Sequence, residues 1–256
     1  MDSRRLAYLK ALDVDVWQRR ELPAALDGHA AQQVVASEIA PVAAAAPVAP
    51  ILPQRAAVSA SGAVAAMGWE DLAATVKACT ACALHSTRTQ GVFGVGNRQA
   101  QWMVIGEAPG ADEDRQGEPF VGRAGQLLNS MLKAIGLARE QVFIANILKS
   151  RPPGNRDPRP EEVRACIPYL FRQIELVNPR LILCVGRIAA QTLLETDTPI
   201  GKLRGRLHRI AGNRPMIVTY HPAYLLRSPG EKRKSWADLL MAMRTFEQLA
   251  AGAPPP

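Results

Sequence analysis

Four cysteines carry the plainest chemical signal. Cys79 and Cys82 stand two residues apart, and Cys166 and Cys184 follow much later in the 256-residue chain. A short loop lets two thiolates reach one metal, and two further thiols complete a four-sulfur shell that suits zinc or an iron–sulfur cluster equally well. Taken singly, Cys166 on an apolar helix face and Cys184 in a buried run also read as small core residues. His221 is a second candidate: it follows the apolar run 216–220 and precedes Pro222, which keeps its backbone extended and aims its ring past a strand end. An imidazole N–H there can bond an oxygen on which negative charge is growing. The third is the stretch 106–125, GEAPGADEDRQGEPFVGRAG, with Glu107 as a carboxylate and Phe120 as a flat apolar face. Its acids Asp112, Glu113 and Asp114 read most simply as a solvated loop, with Asp114 as a fallback acid.

Short apolar runs at 102–105, 142–147, 181–185 and 216–220 predict strands, and helical spacing predicts helices over 160–177, 188–195 and 234–249. Strand alternating with helix predicts a mostly parallel sheet covered on both faces. Leu127, Leu128, Met131, Leu132 and Ile135 open a further helix just after Gly125, so 102–135 reads as strand, loop, helix. In such sheets ligands sit beyond the carboxyl ends of the strands, and helix-start amides suit phosphate.

The net charge is +8, and residues 201–234 hold nine Lys or Arg against the single acid Glu231, which favours a polyanionic partner. The loop 149–160, KSRPPGNRDPRP, has four prolines and cannot be regular structure; Arg151, Arg156 and Arg159 would rim a crevice and touch phosphates without reading sequence. No run approaches the length of a membrane span and no secretory signal is evident, so a cytoplasmic location is expected. Thiols in that compartment point to metal ligation rather than disulfides. Residues 1–25 place Leu6, Leu9, Leu12 and Val16 on one face of a short amphipathic helix, and residues 26–68 form an Ala/Pro-rich flexible linker. The folded domain is expected over 69–256.

GEAPG followed by PFVGRAG, Asn146 ending a strand, HPAYLLR at 221–227 and the four cysteines together resemble the uracil-DNA glycosylase superfamily, specifically its iron–sulfur family 4. The resemblance implies a three-layer αβα sandwich around a four-stranded mostly parallel sheet. It implies a monomeric, monofunctional DNA-repair enzyme that flips deoxyuridine out of single- or double-stranded DNA and hydrolyses its glycosidic bond, leaving an abasic site. Glu107 and His221 would be catalytic, with Ala108, Phe120 and Asn146 binding the base. Arg123, Arg151, Arg156 and Arg227 would hold the DNA backbone, with Leu225 or Leu226 as the wedge that fills the gap. Cys79, Cys82, Cys166 and Cys184 would hold a structural [4Fe–4S] cluster, with zinc as the alternative. Other readings of the same groove are a glycosylase for hypoxanthine and a module that only binds damaged or single-stranded DNA. The first residues, SRRLAYLKALDVDVWQRR, resemble the N-terminal peptide of the psi subunit of the bacterial clamp loader, which implies docking to replication machinery through residues 1–25; the other reading of the segment is a helix that simply packs on its own domain.

Overall fold

The computed structural model describes residues 62–252, so the expected helix at 1–25 and most of the linker at 26–68 lie outside the described residues. Six strands form one mixed sheet: β1 (Val95–Gly96), β2 (Trp102–Gly106), β3 (Phe143–Asn146), β4 (Leu181–Val185), β5 (Leu207–Ile210) and β6 (Arg214–Thr219), in the order β1-β3-β2-β4-β6-β5. The four central strands run parallel, and β1 and β5 pair antiparallel at the two edges. Every residue of β2, β3 and β4 is buried, as expected of strands covered on both faces. The two edge strands went unseen in the sequence. β1 has only two residues, and β5 carries His208 and Arg209 in place of an apolar run.

The pleat divides the core in two. Met103, Ile105, Ile182, Cys184, Met216 and Val218 face one way, against α4 (Pro160–Val177) and α5 (Arg187–Leu194). Trp102, Val104, Leu181, Leu183, Val185 and Ile217 face the other way, against α3 (Arg123–Ala134) and α8 (Lys232–Ala250). This is the three-layer sandwich. α1 (Trp69–Ala78) seals one end by burying Leu72 and Val76 against Tyr169 of α4. The shorter helices α2 (Ala111–Gln116), α6 (Ile200–Leu203) and α7 (Pro222–Arg227) lie in the connections. Among the described residues no helix is long and apolar enough to cross a membrane.

One buried polar network fastens α8 to the sheet. Asp238 is fully buried; it accepts from Arg204 Nε at 3.0 Å and Nη2 at 2.8 Å, and from the Thr219 hydroxyl at 2.9 Å. Removing one member of a buried ion pair strands the other, at a cost near 3 kcal/mol or more. Asp238→Ala is therefore expected to lower the unfolding free energy by about 3 kcal/mol, measured as a lower urea midpoint at unchanged slope.

Candidate active site

The carboxyl ends of the four parallel strands open onto one cavity of about 710 Å³. Glu107 follows β2, Asn146 ends β3, Gly186 follows β4 and His221 follows β6, and all four line it together with Ala108 and Phe120. Gly106 and Asn146 are partners in the β2–β3 register. A Cβ on Gly106 would stand 2.5 Å from Asn146 Oδ1 and 2.6 Å from Phe120 Cζ, so the bare backbone there is what lets amide and ring meet. Phe120 in turn stacks on His221, centroids 5.5 Å apart and planes 28° off parallel. The three side chains singled out for base recognition and charge stabilisation thus converge on one place.

Several local devices hold them. Phe120 has φ 55, a left-handed conformation that strains any residue with a Cβ. Arg139 bonds the carbonyls of Pro119 and Phe120 at 2.6 and 3.2 Å. Glu113, in α2, receives backbone N–H bonds from Gly110 at 3.1 Å, Val121 at 2.9 Å and Gly122 at 3.1 Å, joining the start of one helix to the start of the next. Asp114 is buried and accepts the Thr89 N–H on both oxygens at 3.0 Å. The expectation of a solvated acidic loop is corrected on these grounds: Glu113 and Asp114 are backbone ligands, and the fallback acid Asp114 is not among the residues that line the cavity. A Cβ on Gly125 would fall 1.8 Å from the Phe120 carbonyl oxygen, so that glycine lets α3 pass over the turn.

His221 caps α7, its Nδ1 accepting the Ala223 N–H at 3.1 Å. That bond leaves Nε2 to carry the proton of a neutral ring. Burial first, and Arg227 second, push its pKa down to about 4, against a smaller upward pull from Glu113. Glu107 moves the other way: burial, then Asp157, lift its carboxyl to about 7 against the pull of Arg187. Asp157 and Arg187 pair at 2.7 Å on the cavity rim. Sequence reasoning missed both, because nothing in the string marks two residues thirty apart as partners. Asn146 lines the cavity, and its Oδ1 is buried with no hydrogen-bond partner, next to the bare Gly106 backbone. A buried acceptor left open is costly unless something arrives to fill it.

The expected DNA contacts divide. Arg227 lines the cavity mouth and is exposed, and Arg123 is exposed at the start of α3. Arg151 is turned onto Asn155 Oδ1 at 2.7 Å, and Arg156 lines the cavity while forked onto buried Glu162 at 2.5 and 2.9 Å. Leu226 is the exposed large apolar side chain among the described residues at 37%, whereas Leu225 is 1% exposed within the core. The wedge expectation for Leu225 is corrected accordingly, since α7 turns that face inward.

The four cysteines do not come together. Cys166 feels the charge of Cys82 and Cys79; burial raises its thiol to about 11, against a backbone hydrogen bond at Lys149. Cys79 accepts a hydrogen bond from the Tyr169 hydroxyl at 3.3 Å. Cys184 is fully buried inside β4, and burial alone raises its thiol, with no charge felt from the other three. Its place in the shell is corrected: it is a core residue of the central sheet. Among the described residues no three His, Cys, Asp or Glu side chains are close enough to hold a metal ion. Cys79, Cys82 and Cys166 are near enough to feel one another's charge, and three thiols of that kind are the donor set an iron–sulfur group takes.

Residues 93–240 match the family model of the uracil DNA glycosylase superfamily. The chain is 47% identical over 176 residues to a type-4 uracil-DNA glycosylase of Archaeoglobus fulgidus, covering 66% of this chain and 88% of that one. It is 43% identical over 182 residues to a type-4 uracil-DNA glycosylase of Pyrobaculum aerophilum, covering 68% and 93%. To a type-5 uracil-DNA glycosylase of the same organism it is 32% identical over 147 residues, covering 51% and 64%.

Nuclear magnetic resonance of labelled imidazole checks the electrostatics of the site. His221 is expected to stay neutral, protonated at Nε2, from pH 8 down to about 4. A midpoint near the ordinary histidine value would contradict the burial described.

Proposed function

Since this chain belongs to the uracil DNA glycosylase superfamily, we propose that it hydrolyses the N-glycosidic bond of deoxyuridine in DNA, releasing uracil and leaving an abasic site. The observation that carries the reading is the buried, unsatisfied Asn146 Oδ1 beside the Phe120 ring in a cavity ending on His221. Uracil presents an N3–H donor to that oxygen and an O4 acceptor to the amide N–H, and Phe120 offers its face for stacking. Cytosine reverses both polarities along that edge and leaves buried groups facing like against like, at about 1–3 kcal/mol each.

The base must leave the stack to reach this cavity, so the nucleotide is flipped, with Leu226 as the apolar side chain that fills the gap. Arg123 and Arg227 are the exposed cations for flanking phosphates; Arg156 lines the cavity already balanced by Glu162, and Arg151 is held beside it on Asn155. As the bond to the sugar breaks, charge grows on the uracil ring. The neutral His221 Nε2–H donates to O2, and a preorganised donor of this kind contributes roughly 3 kcal/mol, about a hundredfold in rate or more. Ala108 backbone lines the same wall. Glu107, ionised, holds the attacking water or balances the cationic sugar. Cys79, Cys82 and Cys166 would hold an iron–sulfur cluster, which when bound ties the segment after α1 to α4.

An oligonucleotide with one uracil, treated with enzyme and then alkali, tests the reading: strand scission at the uracil is expected, with none at cytosine or inosine. Because Glu107 works as the carboxylate and its pKa is about 7, the single-turnover rate should rise with pH and level off above about 7. Glu107→Gln should remove that inflection and slow turnover while leaving DNA binding intact. An unchanged rate would take Glu107 out of the mechanism.

A further inference from the structure

We propose that the cluster held by Cys79, Cys82 and Cys166 takes its fourth ligand from the Ser150 hydroxyl oxygen, so that one iron is bound by oxygen. This rests on the cluster reading above. Three observations lead to it. Cys184, the remaining cysteine of the chain, is locked in the middle strands of the sheet, paired in register with Ile105 and Val218. Ser150 is buried and is tied to the first cysteine segment through one side chain: Arg88 donates to Ser150 Oγ at 2.7 Å and, through its other terminal nitrogen, to the Cys79 backbone carbonyl at 2.9 Å. The residue before it, Lys149, touches Cys166 through the backbone.

The third observation is charge. Arg88 donates to three uncharged oxygens, the Ser150 hydroxyl and the Lys77 and Cys79 carbonyls. A half-buried guanidinium so placed favours an anion at its centre of contact. When Ser150 binds iron its hydroxyl proton passes to solvent, and the alkoxide left behind stays hydrogen-bonded to that cation. Tyr169 is the competing oxygen. Its hydroxyl donates to Cys79 Sγ at 3.3 Å, which makes it a hydrogen-bond donor to a thiolate ligand, a contact that tunes a cluster without holding iron.

The test uses full-length protein purified without oxygen, with iron and acid-labile sulfide counted per chain and the cluster followed by electron paramagnetic resonance. Ser150→Ala should release the fourth iron on brief exposure to air and show the oxidised three-iron signal, under conditions where the parent protein does not. Ser150→Cys should keep the full iron content, and Cys184→Ala should leave iron, sulfide and spectrum unchanged. The proposal is overturned if Ser150→Ala matches the parent in iron content and spectrum, if Cys184→Ala loses iron, or if Tyr169→Phe loses it in place of Ser150→Ala. A parent protein free of iron and sulfide would instead sink the cluster reading itself.

Discussion

At the ends of β2 and β3 two backbones meet with no side chain between them, and the cavity exists because of that gap. Gly106 is held opposite Asn146 by the sheet register, and the pairing runs on past the strands through Ile147 N–H to Gly106 O and Leu148 N–H to Glu107 O, both at 3.0 Å. Glu107 and Asn146 are thereby fixed by hydrogen bonds that belong to the sheet. Phe120 fills the space that a methyl group would need. Gly186 does the same on the other side: it has φ 104, and a Cβ on it would stand 3.2 Å from His221 Cβ. Two glycines at the ends of neighbouring strands thus admit the ring, the amide and the imidazole.

Burial gives His221 and Glu107 opposite roles with one physical cause. Removing water disfavours whichever form is charged, so the histidine is kept neutral and the carboxyl is kept reluctant to ionise. A neutral ring can donate to a developing anion without having attracted a competing one first. The Asp157–Arg187 pair at the rim modulates the carboxyl from outside, with the acid opposing its ionisation and the base assisting it.

Much of this was legible in the string of residues, and the failures have physical reasons. The four central strands are short, nearly continuous apolar runs alternating with helical patterns, as a doubly covered sheet requires, and His221 was marked by the proline after it. β1 and β5 were not legible, because a two-residue strand and a half-exposed edge carry no hydrophobic period. Leu225 and Leu226 are adjacent and chemically alike, and only the orientation of α7 separates core from surface. The count of four cysteines and the family resemblance put Cys184 in the metal shell, although neither says which side of a pleat a sulfur occupies. Ser150 went unnoticed because a hydroxyl has no signature as a ligand. Glu113 and Asp114 looked solvated because their partners are backbone amides, which leave no trace in sequence.

Phe120 sits in a backbone conformation that costs on the order of 1 kcal/mol or more, and it is pinned there by Arg139 and by the Glu113 carboxylate. The ring's attitude is therefore dictated by the main chain and cannot be altered by a rotamer change alone. Such a platform is already assembled before any nucleotide arrives, so capture draws no ordering entropy from this loop, and a visitor of the wrong thickness meets a surface that does not yield.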